Sequence, residues 1–221
     1  NYVDIITKKR STGSTLKPFL FASLLDEGQL LPHSLVEDVP TVINGYNPQN
    51  FNLKHVGAVP ARKALSRSLN VPAVRLLREY GLQKFYNKLH KMKMESLDKP
   101  ASYYGLSLIL GGAESSLWEV TSTYASTASS LNYFLTHSST YRNKEFTEAT
   151  YLQNETKNFG NEQFDPLVFG AGSIYKPIKL TEKISDPSNP FSVAEDIADH
   201  LVSVPLDRVG IRIVEEDFAG D

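Results

Sequence analysis

The placing of proline and glycine limits the folding of this chain more than any other feature. Pro32, Pro40, Gly45, Pro48, Gly57 and Pro60 crowd into residues 31–60, so this stretch is expected as loop with short extended pieces. On either side the apolar residues recur at helical spacing. Leu16, Phe19, Leu20, Ser23, Leu24 and Leu30 predict a helix over residues 15–30, with Gly28 where the pattern stops. A second helix is expected from Pro60 to about Asn70. A third has Pro72 in its first turn, continues through Val74, Leu76, Leu77 and Tyr80, and stops at Gly81. Residues 81–92 and 115–131 read as further amphipathic helices. Between them lie a loop, Tyr104-Gly105-Leu106-Ser107, and a small-residue turn, Gly111-Gly112-Ala113-Glu114. The polar stretch 136–165 reads as a long surface excursion. Ser192 with Glu195 forms a capping box for a helix through Val202, and Val209, Ile211 and Ile213 alternate as a strand does. The fold class is therefore mostly α with minor β and few short strands.

One pattern in this frame carries chemistry. Ser14-Thr15-Leu16-Lys17 follows Gly13 and opens the first helix. Residues three apart share a helix face, so the Lys17 amine is expected to reach the Ser14 hydroxyl. Serine is a weak nucleophile until a base takes its proton, and lysine is that base only where its pKa is lowered. Gly13 allows a substrate to approach the backbone. Pro18 has no amide hydrogen, so the Ser14 carbonyl loses its usual helical partner and a local distortion is expected. Serine and lysine at this spacing recur at Ser96 and Lys99 and at Ser173 and Lys176, but of the three only Ser14 opens a predicted helix. A second element is Ser68-Leu69-Asn70, at the end of a helix. A serine there can relay protons, and an asparagine can hold both a lysine and a substrate amide. Ser130-Leu131-Asn132 repeats that pattern as a decoy.

Taken together and in order, these segments resemble the large penicillin-binding proteins. Arg10 to Phe19 resembles the active-site signature of that family. Gly45-Tyr46-Asn47-Pro48-Gln49-Asn50-Phe51 is similar to the loop that follows it, and Ala64 to Val74 to the segment that holds the second motif. Tyr104 to Glu114, and then Tyr124-Ala125, continue the likeness over about residues 1–135, which is greatest toward the bifunctional penicillin-binding protein 1C type. The resemblance implies the helical part of an α+β serine transpeptidase fold. It also implies D,D-transpeptidation of peptidoglycan stem peptides and acylation by β-lactam antibiotics. By resemblance Ser14 is the nucleophile, Lys17 its proton acceptor, and Ser68 and Asn70 the second motif. Tyr46 and Tyr104 are candidates for the cleft wall.

The family's third motif, Lys-Thr-Gly on an edge strand, occurs nowhere in the 221 residues. Nor do the strands before the serine helix or the glycosyltransferase module have a counterpart here. Two intact motifs favour a segment of a larger protein over a degenerate homologue. Residues 1–185 are thus expected to be a partial transpeptidase domain, incomplete and inactive alone, and 186–221 an unassigned helix-plus-strand tail. A non-catalytic scaffold that lost the third motif is the alternative, with a β-lactamase or carboxypeptidase as a third reading.

The remaining composition narrows the partners. A net charge of -2 gives no electrostatic case for nucleic acid or an anionic membrane surface. There are no cysteines, and the five histidines include no pair three or four apart, so a zinc site is not expected, and the resemblance implies a reaction that needs no metal or cofactor. No run approaches the roughly 18 apolar residues of a membrane span, and Asn1-Tyr2-Val3-Asp4 is unlike a signal peptide. The expected location is periplasmic or extracytoplasmic, with any anchor outside this chain.

Overall fold

The computed structural model describes residues 5–138 and 140–141. Its elements run β1 (Arg10–Ser11), α1 (Lys17–Asp26), β2 (Leu35–Asp38), β3 (Gly57–Pro60), α2 (Ala61–Ser66), α3 (Asn70–Tyr80), α4 (Leu82–Lys91), α5 (Ala101–Tyr104), a 3-10 helix (Gly105–Leu110), β4 (Glu114–Ser115) and α6 (Leu117–Thr136). The architecture is mostly helical with two small two-stranded sheets, as the sequence pattern implies.

α1 is the centre of the core. Phe19, Leu20, Phe21, Ala22, Ser23 and Leu24 are all buried, which covers nearly the whole circumference of the helix. Val74 and Leu77 of α3, Phe85 and Leu89 of α4, Met94, Leu97, Leu108 and Ile109 complete the core. Each such side chain contributes about 1.5–3 kcal/mol when fully buried, so this apolar packing fixes α1 in place.

The first helix is shorter than the predicted 15–30, and Ser14 lies outside it. The Thr15 amide donates to the Thr12 carbonyl at 3.1 Å and the Lys17 amide to the Ser14 carbonyl at 3.1 Å, two tight turns in succession. The predicted distortion takes this form: Pro18 has no amide for the Ser14 carbonyl, so Lys17 supplies one from a residue nearer. The second helix ends at Ser66 instead of near Asn70, because Ser68 adopts a left-handed conformation with φ 50°. α3 begins at Asn70 and stops at Gly81, where φ is 100°. The segment expected as a loop at 104–107 is instead the end of α5 and the start of the 3-10 helix. α6 extends to Thr136, five residues past the predicted end, and the Ser116 hydroxyl accepts from the Glu119 amide at its start.

β2 and β3 form an antiparallel hairpin with Leu35 opposite Pro60 and Asp38 opposite Gly57. Along β2 the exposure alternates, so Val36 and Asp38 face inward while Leu35 and Glu37 face solvent. The other sheet joins β1 to β4, with Arg10 opposite Ser115 and Ser11 opposite Glu114. The expected excursion over 136–165 falls almost wholly outside the described residues, as do the expected helix at 192–202 and strand at 209–213.

Candidate active site

Ser14 stands on a turn fixed from several sides. The Thr12 amide donates to the Ala113 carbonyl at 3.0 Å, continuing the β1–β4 pairing. The Ser11 hydroxyl donates to the Gly111 carbonyl at 2.8 Å and accepts from the Gly13 amide at 3.2 Å. Gly13 has φ 54°, a left-handed conformation that glycine adopts without a Cβ penalty. Gly111 must also be glycine, since a Cβ there would lie 2.4 Å from the Ser11 Oγ and 2.7 Å from the Gly13 nitrogen. From the other side the Tyr124 hydroxyl donates to the Thr15 carbonyl at 2.7 Å, and its ring packs on Phe19. Neither the Ser14 hydroxyl nor its amide makes a hydrogen bond among the described residues, and Ser14 is half-buried.

Lys17 is the first residue of α1 and is 4% exposed. Its Nζ donates to the Ser68 carbonyl at 2.6 Å, the Ser68 hydroxyl at 3.0 Å and the Asn70 Oδ1 at 2.7 Å. These account for all three donors of an ammonium, and none of the acceptors is a carboxylate. Burial without a counter-charge lowers its pKa from 10.5 to about 7. The expected hydrogen bond from Lys17 to the Ser14 hydroxyl is therefore not formed here. With Ser14 in the turn ahead of α1, the lysine side chain runs to the second motif instead.

The structure brings Lys17, Ser68 and Asn70 together and places Ser14 and Gly13 on the turn just ahead of Lys17. The strained φ of Ser68 turns its carbonyl and hydroxyl onto the same nitrogen. Asn70 Nδ2 donates to the Gln49 carbonyl at 2.9 Å, which leaves its Oδ1 for the lysine. Tyr46 is half-buried in the loop leading to Gln49, its backbone bridged to Ile43, and burial raises its phenol pKa. Tyr104 is largely packed away from solvent. It is 7% exposed, its ring lies among Tyr86 and Tyr103, and its hydroxyl accepts from the Lys99 amide, so it belongs to the core. The decoy Ser130 lies within α6 and donates to the Ser126 carbonyl.

Sequence reasoning missed Asn50, Asp38 and Tyr124 as site-building residues. Asn50 and Asp38 are buried side chains in a loop-rich region, and Leu35-Val36-Glu37-Asp38 has no polar–apolar alternation that would show Asp38 pointing inward. Among the described residues no group of three or more potential ligands stands ready for a metal, and no helix is long and apolar enough to cross a membrane.

The penicillin binding protein transpeptidase domain matches residues 1–165 as a family. Penicillin-binding protein 1C of Escherichia coli is 40% identical over 127 residues, which is 58% of this chain and 16% of that protein. Penicillin-binding protein 1F of Bacillus subtilis is 34% identical over 110 residues, 49% of this chain and 15% of that protein. The chain thus spans only a small part of these relatives. In fold it is similar to the penicillin-binding protein PonA1 from Mycobacterium tuberculosis, with a TM-score of 0.52 at 23% identity over 59% of this chain and 37% of that one. That protein has also been solved in complex with penicillin V.

Proposed function

This chain belongs to the penicillin-binding protein transpeptidase family, and on that premise we propose that it carries the acylation centre of a peptidoglycan D,D-transpeptidase. Ser14 is the nucleophile and Lys17 its base. The observation that carries this reading is the buried Lys17, held by neutral acceptors alone and with a pKa of about 7. A general base works best when its pKa lies near the working pH.

In the neutral amine two hydrogens remain on the Ser68 carbonyl and Asn70 Oδ1, and the lone pair is available to a serine hydroxyl. Lys17 takes the proton as the Ser14 Oγ forms its bond to the penultimate D-alanine carbonyl carbon of a stem peptide. The unengaged Ser14 amide donates to the developing oxyanion. The carbon–nitrogen bond then breaks. Ser68 gives its proton to the departing D-alanine amine and regains one from the Lys17 ammonium. An amine of a neighbouring stem attacks the acyl-Ser14 ester, the bond from the acyl carbon to Ser14 Oγ breaks, and the proton lost by the amine returns through Lys17 to Ser14 Oγ, which completes the cross-link. A β-lactam enters the same first step, with ring opening in place of departure, and leaves Ser14 acylated. The absence of a hydrogen bond between Ser14 and Lys17 is compatible with this, because catalytic hydrogen bonds often tighten only once substrate is bound. Work on the cell wall places the reaction outside the cytoplasm.

A labelled penicillin given to the full-length protein should attach to Ser14, as read by peptide mapping. An adduct on Ser68 or Ser96 would overturn the assignment. The 221 residues alone should show no mass shift with excess penicillin. They contain no Lys-Thr-Gly strand, and losing one oxyanion donor costs roughly 100- to 1000-fold in rate. A stoichiometric shift would mean that these residues complete the site by themselves.

A further inference from the structure

Asn50 is 2% exposed and Asp38 has no exposure at all, although neither touches Lys17 or Ser14. Every hydrogen-bonding position of the Asn50 amide is occupied. Nδ2 donates to Asp38 Oδ1 at 2.6 Å and to the Lys54 carbonyl at 2.9 Å. Oδ1 accepts from the Asn70 amide at 2.8 Å and the Val71 amide at 3.2 Å. These last two are first-turn amides of α3, which have no partner within the helix. The Asp38 oxygens accept from Asn50 Nδ2 and from the Val56 amide, so Asp38 admits one orientation of the Asn50 side chain. Turning the amide over would aim its oxygen at the Asp38 carboxylate and the Lys54 carbonyl, and its NH2 at two backbone donors. Asp38 is held in turn by the Val56 amide at 2.9 Å, with His55 Nδ1 at 3.6 Å. The neighbouring Gln49 carbonyl holds the Asn70 side chain, whose Oδ1 lies 2.7 Å from Lys17 Nζ. Residues 49 and 50 therefore fix Asn70 through both its backbone and its side chain.

We propose that Asn50, oriented by the buried Asp38, is a positioning residue that sets Asn70, and through it Lys17, in place for acylation of Ser14. The inference rests on the acylation reading above. Asp38 faces inward because of strand alternation in β2, so the hairpin supplies the anchor and α3 the group it positions. A buried, fully satisfied network of this kind has one low-energy arrangement, which suits a site where small misplacements are costly.

The test is made on the full-length protein with fluorescent penicillin, separating the rate of acylation at saturation from the concentration giving half-saturation. Asn50→Ala should lower the saturating rate about 100-fold, the scale of a misplacement near 1 Å, and change half-saturation little. In an Asn70→Ala background the same change should cost less than about threefold, because its effect passes through Asn70. The exchange Asp38→Asn with Asn50→Asp removes the clash of two buried carboxylates and still offers an acceptor to α3, so it should recover part of the rate that Asn50→Asp alone loses, the Lys54 carbonyl lacking its donor in both. Near-normal acylation by folded Asn50→Ala would overturn the proposal, as would a full 100-fold loss in the Asn70→Ala background. If Asn50→Ala fails to fold, the exchange decides: recovery supports the proposal, and a folded exchange variant no faster than Asn50→Asp overturns it. Labelling that survives Ser14→Ala would sink the acylation reading instead, and is scored separately.

Discussion

The two halves of the candidate site are held by different physics. The Ser14 turn is fixed mainly by backbone and by close approach: β1 on β4, Thr12 on Ala113, and Gly111 against Ser11 and Gly13. The Ser68–Asn70 side is fixed through side chains: Asn50 and Asp38, and the Asn70 side-chain amide on the Gln49 backbone carbonyl. Added volume should therefore damage the first half, and altered polarity the second. Lys17 joins them. It sits in α1 behind Ser14 and spends its hydrogen bonds on the other half. The Ser14 hydroxyl is left unengaged, which suits the proposed role of a group that must move onto substrate.

The sharpest way to break the comparison is to remove the residue that joins the halves. Lys17→Ala should suppress penicillin acylation almost as fully as Ser14→Ala, on the order of 10⁴-fold or more, because members of a catalytic unit are non-additive. Ser68→Ala should leave more residual labelling, since a water can replace part of its relay. Stopped-flow acylation of the three variants checks the order, and near-normal labelling of Lys17→Ala would mean another group activates the serine.

Gly111→Ala tests the volume-sensitive half. The added methyl meets the Ser11 hydroxyl and the Gly13 backbone at φ 96°, so the turn must shift. Acylation should fall about 100-fold. Overpacking should also cost about 1–3 kcal/mol of stability in denaturant titration. A wild-type rate would show that the glycine contact does not position Ser14.

Changing pH acts on the junction without changing any volume. Below about pH 7 the Lys17 amine is mostly protonated, so the rate should fall about tenfold per unit of pH. The same group affects stability. Its pKa is lowered on folding, from 10.5 to about 7, so between those values the unfolded chain binds a proton that the folded chain lacks. Its contribution to stability therefore rises with pH from 7 to 10.5, and the burial cost is full below pH 7. Lys17→Met should lack both dependences. An acylation profile that is flat from pH 5 to 8 would contradict the assignment of Lys17 as the base.

The smallest effect is expected at Tyr124→Phe, which removes only the hydrogen bond to the Thr15 carbonyl and keeps the ring on Phe19. A loss of about 1 kcal/mol in stability and less than tenfold in acylation is expected. A larger loss would mean that the backbone-held half depends on side chains as much as the other half does.

Much of this organisation was legible in the sequence, because helix starts and stops are local. Pro72 and Gly81 marked α3, and the effect of Pro18 was predicted, though not that Lys17 would supply the replacement bond. The chemistry-bearing residue types were legible too, in Gly13-Ser14 with Lys17 and in Ser68 with Asn70. The misplaced elements failed for identifiable reasons. Tyr104 to Ser107 looked like a loop because Gly105 interrupts it, yet burial of Leu108 and Ile109 holds a tight 3-10 helix there. Tyr104 itself was expected at a cleft wall against a general expectation of core for the aromatic residues, and packing leaves it 7% exposed.

What the sequence determined by itself is where most of the helices start and stop and which residue types are candidates for chemistry, since both follow from backbone dihedrals and side-chain chemistry within a few residues. What only the tertiary structure decided is which groups meet and how they ionise. Three acceptors converge on Lys17 Nζ from residues 51 and 53 positions away, and an aspartate from a separate hairpin orients the asparagine behind them. The acidity of that amine comes from desolvation, which depends on every element packed around α1. Spacing along a chain can put a lysine beside a serine, but only a closed core can take away its water.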